Sequence, residues 1–149
     1  MVFRQTTLSI LTAFVFLAAG PAVARGLQDP TEATVHYKRG YEHYNAGRLE
    51  QAAESFRQAV KIRPEFAEAY QALGQVHMLL NNYSEAAEAF GRLTALKPDY
   101  TDGYDLLGQA YLRLLRHAEA LEAYQKVVQL SPRSAQGYRG LGREDLNLE

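Results

Sequence analysis

Gly40, Gly74, Gly108 and Gly142 stand at one fixed interval along this chain, with no insertion between them, and that interval restricts the fold more than any other feature. The residues that follow each of the first three glycines repeat in the same register. Ala52, Ala86 and Ala120 hold one position, and the aromatic residues Phe56, Phe90 and Tyr124 hold another just beyond it. Pro64, Pro98 and Pro132 hold a third. Self-similarity at a period of a few tens of residues marks a stacked array, in which each unit buries its apolar face on its neighbours.

Each unit reads as two helices. Tyr70, Leu73, Val76, His77 and Leu80 recur at the helical period through 67–80. Asn81 and Asn82 then signal a turn. A second periodic run through Ala86, Ala89, Phe90, Leu93 and Leu96 is stopped by Pro98, since proline cannot continue a helix interior. Two helices approach closely only where side chains are small, which places Gly74 and Ala86 at a helix crossing, with Tyr70 and Phe90 filling the wider gaps beside it. Gly47 and Asn81 suit a left-handed residue at the turn, whereas Leu114-Leu115-Arg116-His117 offers neither glycine nor asparagine, and His117 is expected in that turn. Asp29, Pro30 and Glu32 form a start signal for the first helix. Residues 135–146 read as a last single helix, weakened by Gly137, Gly140 and Gly142.

This pattern resembles the tetratricopeptide repeat family, whose unit of about 34 residues is a helix-turn-helix carrying W-x2-L-G-x2-Y in its first helix. The tryptophan position holds His36, Tyr70, Tyr104 and Tyr138. The leucine position holds Arg39, Leu73, Leu107 and Leu141, and the tyrosine position His43, His77, Tyr111 and Asp145. Departures cluster in the outer units, as expected of terminal repeats facing water. Leu93 and Val127 also stand where the family usually has a small residue. The resemblance implies an all-α fold, a right-handed superhelical stack of antiparallel helix pairs. Its parts would be a tether and first helix cap (25–32), repeats at 33–66, 67–100 and 101–134, and a partial fourth repeat or capping helix (135–149).

The segment 1–24 stands apart. Met1 to Thr7 carries positive charge from the amino terminus and Arg4, Leu8 to Ala19 is uncharged and mostly apolar, and Gly20-Pro21 precedes Ala22-Val23-Ala24. This is the layout of a secretory signal peptide with cleavage after Ala24. The apolar run from Leu8 to Ala19 falls well short of the roughly 20 residues that a spanning helix needs; an uncleaved membrane anchor is the alternative. Export, with the bacterial periplasm as first destination and an extracellular or membrane-tethered place as alternatives, is the expectation. The chain would then keep 15 basic and 17 acidic residues, a formal net charge of −2 that provides no basic footprint for nucleic acid. Zero cysteines exclude disulfides and thiolate metal sites.

No constellation for catalysis emerges. His43 and His77 occupy equivalent positions one repeat apart but have no accompanying H-E-x-x-H pattern. They read as packing residues inside the stack, with His36 structural as well. The serines lack a G-x-S-x-G context, and Glu85/Glu88 and Glu119/Glu122 read as solvated helix faces. The expectation is therefore a non-enzymatic scaffold with no cofactor, no metal and no small-molecule substrate, taking a protein or peptide partner. Self-assembly into homo-oligomers is a second reading.

The resemblance implies a concave groove lined by the first helix of each repeat. Its positions fall on Tyr37, Tyr41, Tyr44 and Asn45, then Glu68, Gln71, Gln75 and Met78, then Asp102, Asp105, Gln109, Leu112 and Arg113, with Arg139 and Arg143 on the last helix. The tyrosines at i, i+4 and i+7 share one helix face, and with Gly40 and His43 turned to the stack they are expected to form an exposed stripe. A family subclass holds chaperone C-terminal carboxylates with lysine, asparagine and arginine. The matching positions here are Tyr37, Tyr41, Ala72, Asp102 and Leu106, and none fits that chemistry.

Overall fold

The computed structural model describes residues 30–145, with side chains from 31 to 142. The expected signal segment, the tether, the Asp29 cap and the Arg143 side chain lie outside the described residues. Seven helices follow one another: α1 (Pro30–Asn45), α2 (Leu49–Ile62), α3 (Ala67–Leu79), α4 (Tyr83–Leu96), α5 (Thr101–Arg113), α6 (His117–Leu130) and α7 (Ala135–Asp145). Among the described residues there is no strand. Each helix packs mainly on the next, and α7 also touches α5. The expected stack of helix pairs, closed by a single helix, is the architecture observed.

The glycine–aromatic pairing explains how close the pairs come. A Cβ on Gly40 would sit 2.5 Å from a ring carbon of Phe56, one on Gly74 2.5 Å from Phe90, and one on Gly108 2.8 Å from Tyr124. The three rings are buried, so they have no room to withdraw. Ala52, Ala86 and Ala120 are fully covered one turn earlier on α2, α4 and α6. Leu93 and Val127 are also buried, so the larger residue is absorbed into the core between successive pairs. Gly142 departs from the pattern, since nothing stands within 4 Å of its Cβ position.

Each of the turns after α1, α3 and α5 rests on one left-handed residue, Gly47 (φ 72), Asn81 (φ 60) and Leu115 (φ 59). The following amide bonds back to a carbonyl near the end of the helix: Arg48 to His43, Asn82 to His77 and Arg116 to Tyr111, all at 2.9 Å. That is the Schellman termination, which satisfies a carbonyl the helix leaves open. The third turn therefore keeps the common geometry although leucine must adopt a left-handed backbone. Leu115 is the most exposed of the large apolar residues, at 76%. His117, expected in this turn, instead opens α6.

Candidate functional site

The first helices of the pairs share one open side of the stack, and the residues at equivalent positions form rungs across it. One rung is Tyr37, Gln71, Asp105 and Arg139; a second is Tyr41, Gln75 and Gln109; a third is Tyr44, Met78 and Leu112.

At the α1 end the surface is aromatic. Tyr41 and Tyr44 are about 40% exposed. Tyr37 departs from the expected exposed stripe, being half-buried at the margin of the core around Phe56, Leu73 and Val76. The helix turns Tyr37 toward α2 and the following loop, so its ring lies 4.8 Å from Phe66 and 5.7 Å from Phe56. Tyr41 stands edge-on to Tyr37 (5.0 Å, 83°) and to Phe56 (5.2 Å, 80°), and Tyr44 is edge-on to Tyr41 (6.5 Å, 77°). The Tyr37 hydroxyl donates to that of Tyr41 at 3.4 Å. Burial and this donated bond push the Tyr37 phenol well above its ordinary pKa, so it stays neutral. Arg63 closes the column with its guanidinium 3.4 Å from the Phe66 ring centre. Phe66 and Arg63 were not among the expected site residues. They come from the loop between units, where Tyr100 and Lys97 hold the same positions one repeat later, so an aromatic and a basic residue recurring at the repeat interval were the signal that could have found them. Asn45 is exposed at the end of α1.

The middle of the surface is polar. Gln71 donates to the Tyr100 hydroxyl at 3.4 Å, and Gln75 is exposed. Glu68 pairs with Lys97 at 2.5 Å, which holds its carboxyl below the usual range. Farther along, Met78, Asp105, Gln109, Leu112, Arg113 and Arg139 line one cavity of about 550 Å³ with Tyr124, Gln136 and Gly140. The structure thus brings together most of the expected residues of α5 with those of its neighbours. Gln109 donates to the Asp105 carboxylate at 2.9 Å. Burial raises the Asp105 pKa despite that bond, and the nearby Asp102 charge adds to the effect. Arg113 faces the Tyr83 ring at 5.8 Å, and Arg139 donates its Nε to the Ala135 carbonyl of its own helix at 3.2 Å.

On the side of the second helices there are two further cavities, equivalent by the repeat. One of about 540 Å³ has Tyr104, Leu107, Tyr111, Glu119, Glu122 and Lys126 among its lining. The other, about 320 Å³, has Tyr70, Leu73, His77, Glu85, Glu88 and Arg92 at the same places. His77 is buried as expected, and its Nδ1 has no partner. His43 is only half-buried, since α1 is the first helix among the described residues and packs mainly on α2, and it accepts a bond from Arg48 at 3.1 Å. Among the described residues no group of three or more histidines and carboxylates is placed to hold a metal ion.

The model of the family described as tetratricopeptide repeat matches residues 37–101, 80–135 and 106–143. Comparison with curated proteins finds no match. Among solved structures, the first TPR of Spaghetti (RPAP3) bound to the HSP90 peptide SRMEEVD superposes with a TM-score of 0.72 at 21% identity, over 80% of this chain and 95% of that one. A crystal structure of MamA gives 0.72 at 29% identity, over 80% and 70% of the two chains. MamA 41-end from Desulfovibrio magneticus RS-1 gives 0.70 at 27%, over 81% and 67%.

Proposed function

Because this chain belongs to the tetratricopeptide repeat family, we propose that it is an exported, non-catalytic scaffold that holds a segment of another protein across its first helices. One observation carries the reading. The open side joins exposed tyrosines on α1 to exposed amides on α3 and α5 and to a 550 Å³ cavity reaching α7. Exposed aromatic side chains bury much area at little entropic cost, which is why interfaces favour them. The HSP90 peptide in the RPAP3 structure supports the use of this fold for segment binding. The layout of residues 1–24 supports export.

Site-specific photo-crosslinking tests the surface. A photoreactive residue replacing Tyr44 or Gln109 should trap a partner, whereas one replacing Glu88 on the opposite side should not. Equal trapping at all three positions, or trapping at Glu88 alone, would refute the groove. Export is tested separately by mass spectrometry of the fractionated host. A product starting at Arg25 outside the cytoplasm is expected, and an unprocessed cytoplasmic chain would refute it.

A further inference from the structure

We propose that α7 pairs antiparallel with α7 of a second copy of this chain, each Tyr138 ring lying on the bare backbone at the other copy's Gly142. The groove reading plays no part in this.

The repeat shows which face of α7 lacks a partner. Tyr70 and Gly74 on α3, like Tyr104 and Gly108 on α5, stand four residues apart and meet the second helix of their own pair. Tyr104 packs on the cluster of Ala120, Tyr124 and Val127, all of α6. Gly74 and Gly108 lie against the rings of Phe90 and Tyr124. Tyr138 and Gly142 hold the same two positions on α7. There Tyr138 is 56% exposed, and nothing stands within 4 Å of a Cβ on Gly142. The opposite face of α7 is taken: Gly137 lies against Val127 and Val128, Gly140 against Tyr124, and Leu141 against the same cluster. Arg139, on the flank, bends back to the Ala135 carbonyl of its own helix. The face of Tyr138 and Gly142 therefore continues the crossing interface of the stack.

Each earlier crossing is made by an aromatic ring set on a glycine, and α7 holds both halves of that pairing on one face. Residues at i and i+4 are neighbours on a helix surface. When two α7 helices run antiparallel, Tyr138 of each reaches Gly142 of the other, and both contacts form together. That is the self-complementary condition of a two-fold interface. The α1 end of the stack offers no such match. Gly40 is already against Phe56, and Arg39 stands where Leu73 and Leu107 pack on the preceding second helix. End-to-end stacking would set the α7 face against that cation. One helix from each copy is small beside the roughly 1,200–2,000 Å² of stable interfaces, so the pairing is weak and is read at high concentration.

Sedimentation equilibrium of the chain as isolated from its host, between about 10 µM and about 1 mM, should show a monomer–dimer equilibrium that stops at the dimer. Gly142→Leu adds a side chain where the monomer has room, so the circular dichroism spectrum should hold while the dimer weakens by about tenfold or more. Tyr138→Gly should weaken it as much. Exchanging the two residues, Tyr138→Gly with Gly142→Tyr in one chain, should return the dimer, because the antiparallel register asks only that these positions carry one ring and one glycine. If Gly142→Leu does not fold, Tyr138→Gly and the exchange variant still decide. A monomer at every concentration, a dimer that neither single variant weakens, association running past the dimer, or an exchange variant that stays monomeric would overturn the inference.

Discussion

Gly74→Ala asks whether close approach, rather than flexibility, is why glycine stands at the crossing. In an exposed helix interior, glycine to alanine stabilises by about 1 kcal/mol, because the backbone loses less entropy on folding. Gly74 adds a steric term of opposite sign. Its Cβ would fall 2.5 Å from the Phe90 ring, which is fully buried between Ala86, Ala87 and Leu93. The ring must move by an ångström or so against close-packed neighbours, and overpacking of this size costs about 1–3 kcal/mol. The net expectation is a loss of about 1 kcal/mol, read as a fall in Tm of roughly 4 °C for a domain this size. Gly91 supplies the control. It lies inside α4 with nothing within 4 Å of its Cβ position, so Gly91→Ala should raise stability by about 0.5–1 kcal/mol.

Urea unfolding followed by circular dichroism measures both, together with Phe90→Leu and the double variant with Gly74→Ala. In the double variant the smaller side chain should return part of the loss, a coupling of about 0.5–1 kcal/mol for residues in contact. If Gly74→Ala stabilises as much as Gly91→Ala, the crossing argument fails for all three repeats. A loss undiminished in the Phe90→Leu background would assign it to some other contact.

Leu115→Asn should stabilise by about 0.5–1 kcal/mol in the same urea assay, since asparagine tolerates the left-handed backbone and the leucine side chain is mostly in water. Tyr41→Ala should cost about 1–2 kcal/mol by thermal unfolding, more than an isolated surface site, because its ring packs edge-to-face with Tyr37, Phe56 and Tyr44. Burial pushes the His77 pKa below 6.5. The folded state then resists a proton that the unfolded chain accepts, so His77 adds stability above pH 6.5 that is lost as pH falls from 6.5 toward the depressed value. His77→Tyr, which installs the residue of Tyr111 one repeat later, should flatten urea midpoints measured between pH 7 and about 5.5 relative to wild type.

The repeat, the helix pairs and the crossing glycines were legible because each rests on residues recurring at one fixed period, and recurrence separates a packing requirement from chance. The third turn was less so. Its Schellman bond from Arg116 to Tyr111 depends on backbone hydrogen bonding that leucine permits at a cost, and residue type alone signals only the inexpensive solutions. On the open side the expected residues fall on α1, α3, α5 and α7, and Tyr37, expected to be exposed, is half-buried. A helix face is a direction, and whether that direction meets solvent depends on what the next loop brings. Here Phe66, capped by the Arg63 guanidinium, packs on Tyr37; Tyr100 and Lys97 repeat that aromatic and basic pair one period on, but residue type at a loop position does not say which helix side chain the loop will meet.

The repeat also separates what holds the stack from what the open side can recognise. Across the pairs the crossing rung keeps its chemistry: glycine against Phe56, Phe90 or Tyr124, with alanine one turn earlier. The rung facing the open side changes completely, from Tyr37 to Gln71 to Asp105 to Arg139. These side chains lie at the margin of the core or in solvent, outside the glycine–aromatic crossing, so such positions are free to differ. Four chemistries on one scaffold give the surface a direction, aromatic at α1 and charged at α5 and α7. A symmetric ligand cannot use such a gradient, whereas a polypeptide can, because its own sequence runs one way along the same axis.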